Sequence, residues 1–315
     1  MYWLSLVGLI ITVVSVPLII KASRKLSLSQ PIREDGPKTH LKKRGTPTMG
    51  GLSFWFAVLA VAAVRWHDAD FRLLTIVFIL FGLIGLLDDM KKVLSRDSRG
   101  VPARVKLLGQ AIGSAAFLVS FIGPAQQYVP VALRSLNVGH VPYWLYMVIS
   151  GLVMMGTSNA INFADGADGL LSMTAIPTLG FLALFSTDES VVLMSLLLIA
   201  VLVGFLFYNR YPARIIMGDT GSMALGGVIC SMFFMSEMEL LMPIVCFPYY
   251  VEILSVTIQV ISFKLTGKRV FKMSPIHHHF ELSGWSENKL VAAFFVASCV
   301  CALAGAGILA VVEVF

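Results

Sequence analysis

Residues 71–92 read FRLLTIVFILFGLIGLLDDMKK. From Leu73 to Leu87 no side chain is charged, and then Asp88, Asp89, Lys91 and Lys92 arrive almost together. A helix needs about 20 apolar residues to cross the hydrocarbon core of a bilayer. The stretch therefore reads as a membrane span, near 71–87, that delivers two adjacent carboxylates to a membrane boundary. Working outward, comparable apolar runs occur at 2–20, 50–66, 107–124, 141–158, 170–186, 190–208, 221–236, 240–263 and 290–312. Backbone groups in lipid must be paired within their own segment, so helices are the expected spanning form. These runs predict an all-α integral membrane protein of about ten transmembrane helices, one polytopic domain over 1–315, with no internal repeat.

Composition agrees. The 315 residues are 57% hydrophobic and 13% charged, with a mean hydropathy of +0.83; a soluble domain carries about 25% charge. A separate soluble domain has no room. Cys230, Cys246, Cys299 and Cys301 all lie inside apolar runs without metal-ligand spacing, which predicts inert thiols and no disulfide. The first run has no basic segment before it, and Lys21, Arg24 and Lys25 follow it. That polarity predicts a retained span and not a cleaved signal peptide.

The basic residues set the orientation. Segment 21–49 holds eight Lys and Arg, 88–106 six, 208–220 two and 264–289 five, together 21 of the 24. Arg65, Arg72 and Arg134 lie at the opposite ends of the runs. With ten spans all four basic segments fall on one side, the cytoplasmic one, and both termini fall on the extracytoplasmic side. The net charge of +6 thus sits where anionic headgroups and anionic substrates are met, and nucleic acid is not expected as a partner.

Nearly every residue able to do chemistry lies in those same segments. Asp88 and Asp89 suit Mg²⁺, a proton transfer or a phosphate-bearing cation network; local pairing of Asp88 with Lys92 one turn on is the simpler reading. In NAINFADGADGL, Asn159, Asn162, Asp165 and Asp168 are spaced three apart, with Gly166 and Gly169 allowing the chain to leave a helix. Such amides and carboxylates can bind a base, a ribose or a metal's water shell, or can cap a turn. YNRYPARIIMGDTGSMALGG holds Asn209 and Asp219, the acid flanked by Gly218 and Gly221. Asp219 is placed to N-cap the next span and is the best single candidate for a Mg²⁺ ligand. KMSPIHHHFELSGWSE carries His277, His278 and His279, whose spacing does not suit zinc; they read as phosphate-binding imidazoles or as a solvated run. GPKTHLKKRGTPTMGG offers Lys43 and Thr48 but lacks the Walker spacing. Glu252, with Gln259 further along the same run, is an intramembrane acid that either lines a groove or pairs with another helix.

The ordered set GTPTMGG, LLDDMKK, NAINFADGADGL, YPARIIMGDTGS, VEILSVTIQV and MSPIHHHFE resembles the phospho-MurNAc-pentapeptide transferases (the MraY family) of peptidoglycan synthesis over the whole chain. The acidic and Asn/Asp motifs are common to the wider polyprenyl-phosphate N-acetylhexosamine-1-phosphate transferase superfamily; the triple histidine and GTPTMGG select this branch. The resemblance implies ten spans in the bacterial plasma membrane, an active site at the cytoplasmic face, a homodimer and a Mg²⁺-dependent reaction. Undecaprenyl phosphate attacks the β-phosphate of UDP-MurNAc-pentapeptide, giving lipid I and UMP. It implies Asp88, Asp89 and Asp219 as essential acids, with Asp219 the metal ligand. Lys92 and Lys106 match phosphate-facing positions, and Lys43 and Thr48 match first-loop positions. Asn159, Asn162, Asp165, Asp168 and Asn209 match the nucleotide side, and His277, His278 and His279 the late loop.

On this reading Asp88 is the expected base and displacement is direct, with a covalent aspartyl intermediate as the alternative. Pro243 and Pro248 predict a bent ninth span walling a groove for the lipid tail, with Gln259 near its cytoplasmic end. Two rivals remain. One is a sister enzyme moving GlcNAc-1-phosphate from UDP-GlcNAc. The other is a secondary transporter, which would place polar groups near the midplane in repeated halves.

Overall fold

The computed structural model describes residues 2–26, 28–29, 45–95, 99–122 and 142–314. Lys43 and Arg134 lie outside the described residues. The described chain is helical, with no strand beyond an isolated bridge between Ser29 and Pro47. Its elements are α1 (Trp3–Lys25), α2 (Leu52–Arg65), α3 (Ala69–Ser95), α4 (Ala103–Phe121), α5 (Tyr143–Phe163), α6 (Leu170–Phe185), α7 (Glu189–Asn209), α8 (Asp219–Met235), α9 (Met242–Val245), α10 (Phe247–Thr266), α11 (Ile276–Glu281) and α12 (Glu287–Val314). Every apolar run falls on a helix. Five of these helices, α1, α3, α5, α7 and α12, are long and apolar enough to cross a membrane. Leu6, Ile10, Val14 and Leu18 of α1 and Val296, Val300 and Leu303 of α12 project outward, as lipid-facing side chains do.

The core is built on α8. Every residue from Thr220 to Met235 is buried, so this helix, apolar on all sides, gives no face to water or lipid. α3 and α5 pack along it. Between apolar helices the drive for association is close van der Waals packing, which small residues allow. Gly227 lies under the ring of Phe81, and Gly226 lies against the backbone of Ser158. Gly85 of α3 crosses so near the backbone of Asp219 that any Cβ there would collide with it. Phe54, Phe71, Phe78, Phe205 and Phe233 fill the remaining interior.

Polar contacts gather at the two ends of the bundle. At one end Asp68 caps α3 by accepting the Asp70 and Phe71 N–H groups (both 3.1 Å), and Ser190 donates to it from α7 (2.9 Å). Tyr146 donates to Glu239 at 2.9 Å. The motif segments lie at the other end, where α3, α5 and α7 finish and α4, α6 and α8 begin.

Three local expectations change. α3 does not stop at its acids but runs on to Ser95, which stands Lys92 one turn beyond Asp88. The 240–263 run is not a bent helix: the chain breaks at Cys246 (φ −92°, ψ 10°), and a proline stands at the start of each resulting helix, α9 and α10. Proline is favoured there because it lacks only an N–H that the first turn leaves unpaired. Finally, Asp219 is the first helical residue of α8 and not its cap. The cap position belongs to Gly218, whose φ of +76° suits glycine.

Candidate active site

Asp89 does the capping from a different helix. Its Oδ1 accepts the Asp219 N–H (3.1 Å), and its Oδ2 accepts the Thr220 N–H (2.9 Å) and hydroxyl (2.7 Å). A buried carboxylate thus sits on the positive end of α8, where the macrodipole favours it. The same bonds fix Asp219 in place. Asp88, fully buried, pairs with Lys92 (2.7 Å) and Lys106 (3.0 Å) and accepts the Val101 N–H at 2.6 Å. Gly100 (φ +61°) brings that loop over the carboxylate, where a side chain would collide with it. Asp219 pairs with Lys92 (3.2 Å) and Lys106 (2.7 Å), and its other oxygen accepts from the Asn162 amide (3.2 Å). Asn162 also donates to Ser222 at 2.7 Å.

Asp88, Asp89 and Asp219 each place one carboxylate oxygen within 4.8 Å of the others. Hard oxygen donors at that spacing can share a small divalent cation such as Mg²⁺. Both Asp89 oxygens are committed to the N–H and hydroxyl donors that start α8, whereas Asp219 and Asp88 are held chiefly by lysines, so Asp219 and Asp88 are the better ligands. Their present counter-charges are two ammonium groups that can turn to other anions.

Beyond this centre the site splits into layers. Asp165 lies in the turn after α5. Burial, then the charges of Asp219 and Asp89, push its carboxyl well above the usual carboxylate range, against the pull of the Gly218 N–H. Asp168 turns inward to accept the Ala213 N–H (2.8 Å), and its own N–H donates to Glu287 (3.2 Å). Asn209 accepts the Gly169 N–H (3.1 Å) and donates to the Ile215 carbonyl (3.0 Å). These two residues tie the 210–217 segment to the turn after α5. Asn159 faces away, donating to Gln110 of α4 at 2.9 Å. Thr48 is buried in the segment that pairs with 215–217, where Gly50 and Gly51 donate to the Ile216 and Met217 carbonyls (both 2.9 Å).

The three histidines diverge. His277 is buried and meets Glu252 through Nδ1 at 3.0 Å. His278 bonds Glu281 (2.8 Å), and the Lys272 N–H donates to Nδ1 of His279 (3.1 Å). Gln259 accepts the Val270 (3.0 Å) and Phe271 (2.9 Å) N–H groups and donates to the Phe271 carbonyl (2.9 Å). Its amide is spent on holding that loop. Sequence reasoning passed over Thr220, Ser222, Gln110, Gly85, Gly100 and Glu287. Thr220 and Ser222 stand beside Asp219 in a motif already singled out; the others gave no local signal.

This arrangement has relatives. A model of the glycosyl transferase family 4 matches residues 71–237, the stretch from α3 to just past α8. A phospho-N-acetylmuramoyl-pentapeptide-transferase of Carboxydothermus hydrogenoformans is 45% identical over 293 residues, 89% of each chain. The enzyme of the same name from Bacillus subtilis (strain 168) is 39% identical over 311 residues, 95% of each chain. The chain belongs to the phospho-N-acetylmuramoyl-pentapeptide transferase family. A third member of that family, from Oceanobacillus iheyensis, is 41% identical over 312 residues, 95% of this chain and 94% of its own. Family membership spans both the acidic centre and the histidine loop, so neither is a borrowed fragment.

Proposed function

We propose that the chain transfers phospho-MurNAc-pentapeptide from UDP-MurNAc-pentapeptide to undecaprenyl phosphate, releasing UMP and forming lipid I. The observation that carries this reading is the joining of three carboxylates and two lysines at one end of an apolar helical bundle, in a chain whose relatives bear the transferase name over almost their full length. A site at the end of a bundle can meet a soluble nucleotide and a membrane-held phosphate together. The charge bias supports the cytoplasmic side for that end, with ten spans and both termini outside, and the resemblance supports the bacterial plasma membrane and a homodimer.

Asp219 would hold Mg²⁺, which would supply neutralisation of the pyrophosphate. Lys92 and Lys106 bind phosphate oxygens and offset the charge that gathers on departing UMP. An oxygen of the lipid phosphate attacks the donor's β-phosphorus, and the bond from that phosphorus to the bridging oxygen breaks toward UMP. Any proton on the attacking phosphate passes to Asp88, whose lysine partners can turn to phosphate, while both Asp89 oxygens are committed to α8. Asp89 is the residue that orients Asp219.

The test is UMP release by the purified protein with undecaprenyl phosphate and Mg²⁺, offering UDP-MurNAc-pentapeptide and UDP-GlcNAc separately. Release from the first donor alone, abolished by EDTA and in Asp219→Asn, is expected. Release from UDP-GlcNAc alone would move the chain to the sister reaction, and no release from a folded preparation would overturn the reading.

A further inference from the structure

The mechanism leaves unused a buried acid in the second turn of α10. Glu252 of α10 has no exposed surface, and its Oε2 meets Nδ1 of His277, itself buried, at 3.0 Å. The other ends of the pair, Oε1 of Glu252 and Nε2 of His277, touch no hydrogen-bond partner. An ionisable group so deep is expensive and persists where it has a task. His277 shows what the task is. Its Nε2 edge rests against Gly166, so closely that a Cβ at that glycine would overlap the ring. Gly166 lies in the turn between Asp165 and Asp168, and the Asp165 carboxyl feels both the Gly218 N–H at the start of α8 and the charge of Asp219. A continuous line of contact therefore runs from Glu252 through the imidazole to the turn that carries Asp165.

We propose that Glu252 is a positioning residue that fixes the ring orientation and the Nδ1–H form of His277, and through it the seat of the 164–169 turn. An imidazole has two inequivalent nitrogens, and the partner of one decides what the other presents. With Nδ1–H given to Glu252, only Nε2 faces the turn and whatever binds beside it. Without the carboxylate the ring is free to rotate or to exchange tautomers beneath Gly166. The pair also separates the jobs of the three histidines: His277 is an inward strut, while His278 and His279 pair with groups of their own loop.

The test uses the full chain in detergent, with ¹⁵N-labelled histidine. Wild type is expected to show one set of His277 shifts with Nδ1 protonated. Glu252→Leu, close in volume and uncharged, is expected to give mixed tautomers and to raise the donor KM about tenfold, the lower end of what losing the outer partner of a functional imidazole costs. Glu252→Gln, whose amide oxygen still accepts from Nδ1–H, is expected to restore most of both. In a His277→Asn background, Glu252→Leu is expected to add nothing further to KM, the sign of coupling within a pair. A role in packing alone would be met by Leu and would leave the shifts and KM unchanged, which overturns the proposal. So would KM effects that add independently. Should Glu252→Leu fail to fold, an unprotonated Nδ1 at His277 in wild type or in Glu252→Gln overturns it. The kinetic arm rests on the proposed donor, whereas the ¹⁵N arm does not. Inactive wild type with the expected shifts sinks the proposed reaction and leaves the Glu252 assignment standing.

Discussion

Thr220→Val isolates the link between the acid pair and the start of α8. Valine keeps the shape of threonine and removes one hydroxyl, which donates to Asp89 Oδ2 at 2.7 Å in a fully buried setting. A hydrogen bond to a charged acceptor contributes about 1.5–3 kcal/mol. The lower half of that range is expected, because Asp89 keeps the two N–H donors of Asp219 and Thr220. The bond helps to hold Asp219 in register with Asp88. If the whole loss, about 1.5–2 kcal/mol, falls on the reacting geometry, kcat drops about 10- to 30-fold. The assay is UMP release at saturating donor and lipid, alongside thermal unfolding in detergent. Thr220→Ser, which keeps the hydroxyl, is expected to recover most of the rate. Wild-type kcat and wild-type thermal stability in Thr220→Val would refute the idea that Asp89 works by anchoring α8.

Three further outcomes follow from the same geometry. Asp165 has its carboxyl raised by burial and by the Asp219 and Asp89 charges, so it holds its proton at pH values where an ordinary carboxylate has lost it. A bound cation offsets those charges and lowers the value. Mg²⁺ binding should therefore release protons and tighten as pH rises, measurable by calorimetry in buffers of different ionisation enthalpy; uptake of protons would contradict it. Gly85→Ala drives a methyl into the Asp219 backbone at the α3–α8 crossing. It should cost about 1–3 kcal/mol by overpacking and lower activity more than Gly156→Ala, which has open space around it. Asn209→Ala should leave the Gly169 N–H and the Ile215 carbonyl unpaired. The expected loss is about 1–3 kcal/mol of stability for each buried group, read as a lower unfolding temperature.

The length of the apolar runs made the helices legible because a bilayer imposes them segment by segment. Each apolar run fell on helix, one of them on two, and the acids of two separate motifs did gather. What each side chain does inside that gathering was not legible. Asp88 and Asp89 are neighbours in sequence with the same chemistry, yet one is clasped by two lysines and the other caps a helix 130 residues away. Only the α3–α8 crossing tells them apart, and it depends on Gly85, a residue without a local signature. Gln259 likewise reads as a groove residue until the loop that folds back onto it is seen. The break at Cys246 was hidden because two prolines in one run are compatible with a kink or with two helix starts.

Burying α8 on all sides has a consequence for how the protein lives in its membrane. Bilayers differ in thickness, and helices in contact with lipid answer by tilting or sliding. Here the lipid-exposed surfaces belong to helices such as α1, α10 and α12, whose outward residues include Leu18, Leu254 and Leu303. The helix bearing Asp219 touches none of that lipid and is clamped to α3 at a glycine crossing. Asp219 is referenced to the protein's own interior, like an instrument mounted on a pillar that passes through a floor without touching it, and the glycine crossing holds the α3 acids to it. The outer helices can follow a changing bilayer while the distances among Asp88, Asp89 and Asp219 stay the same.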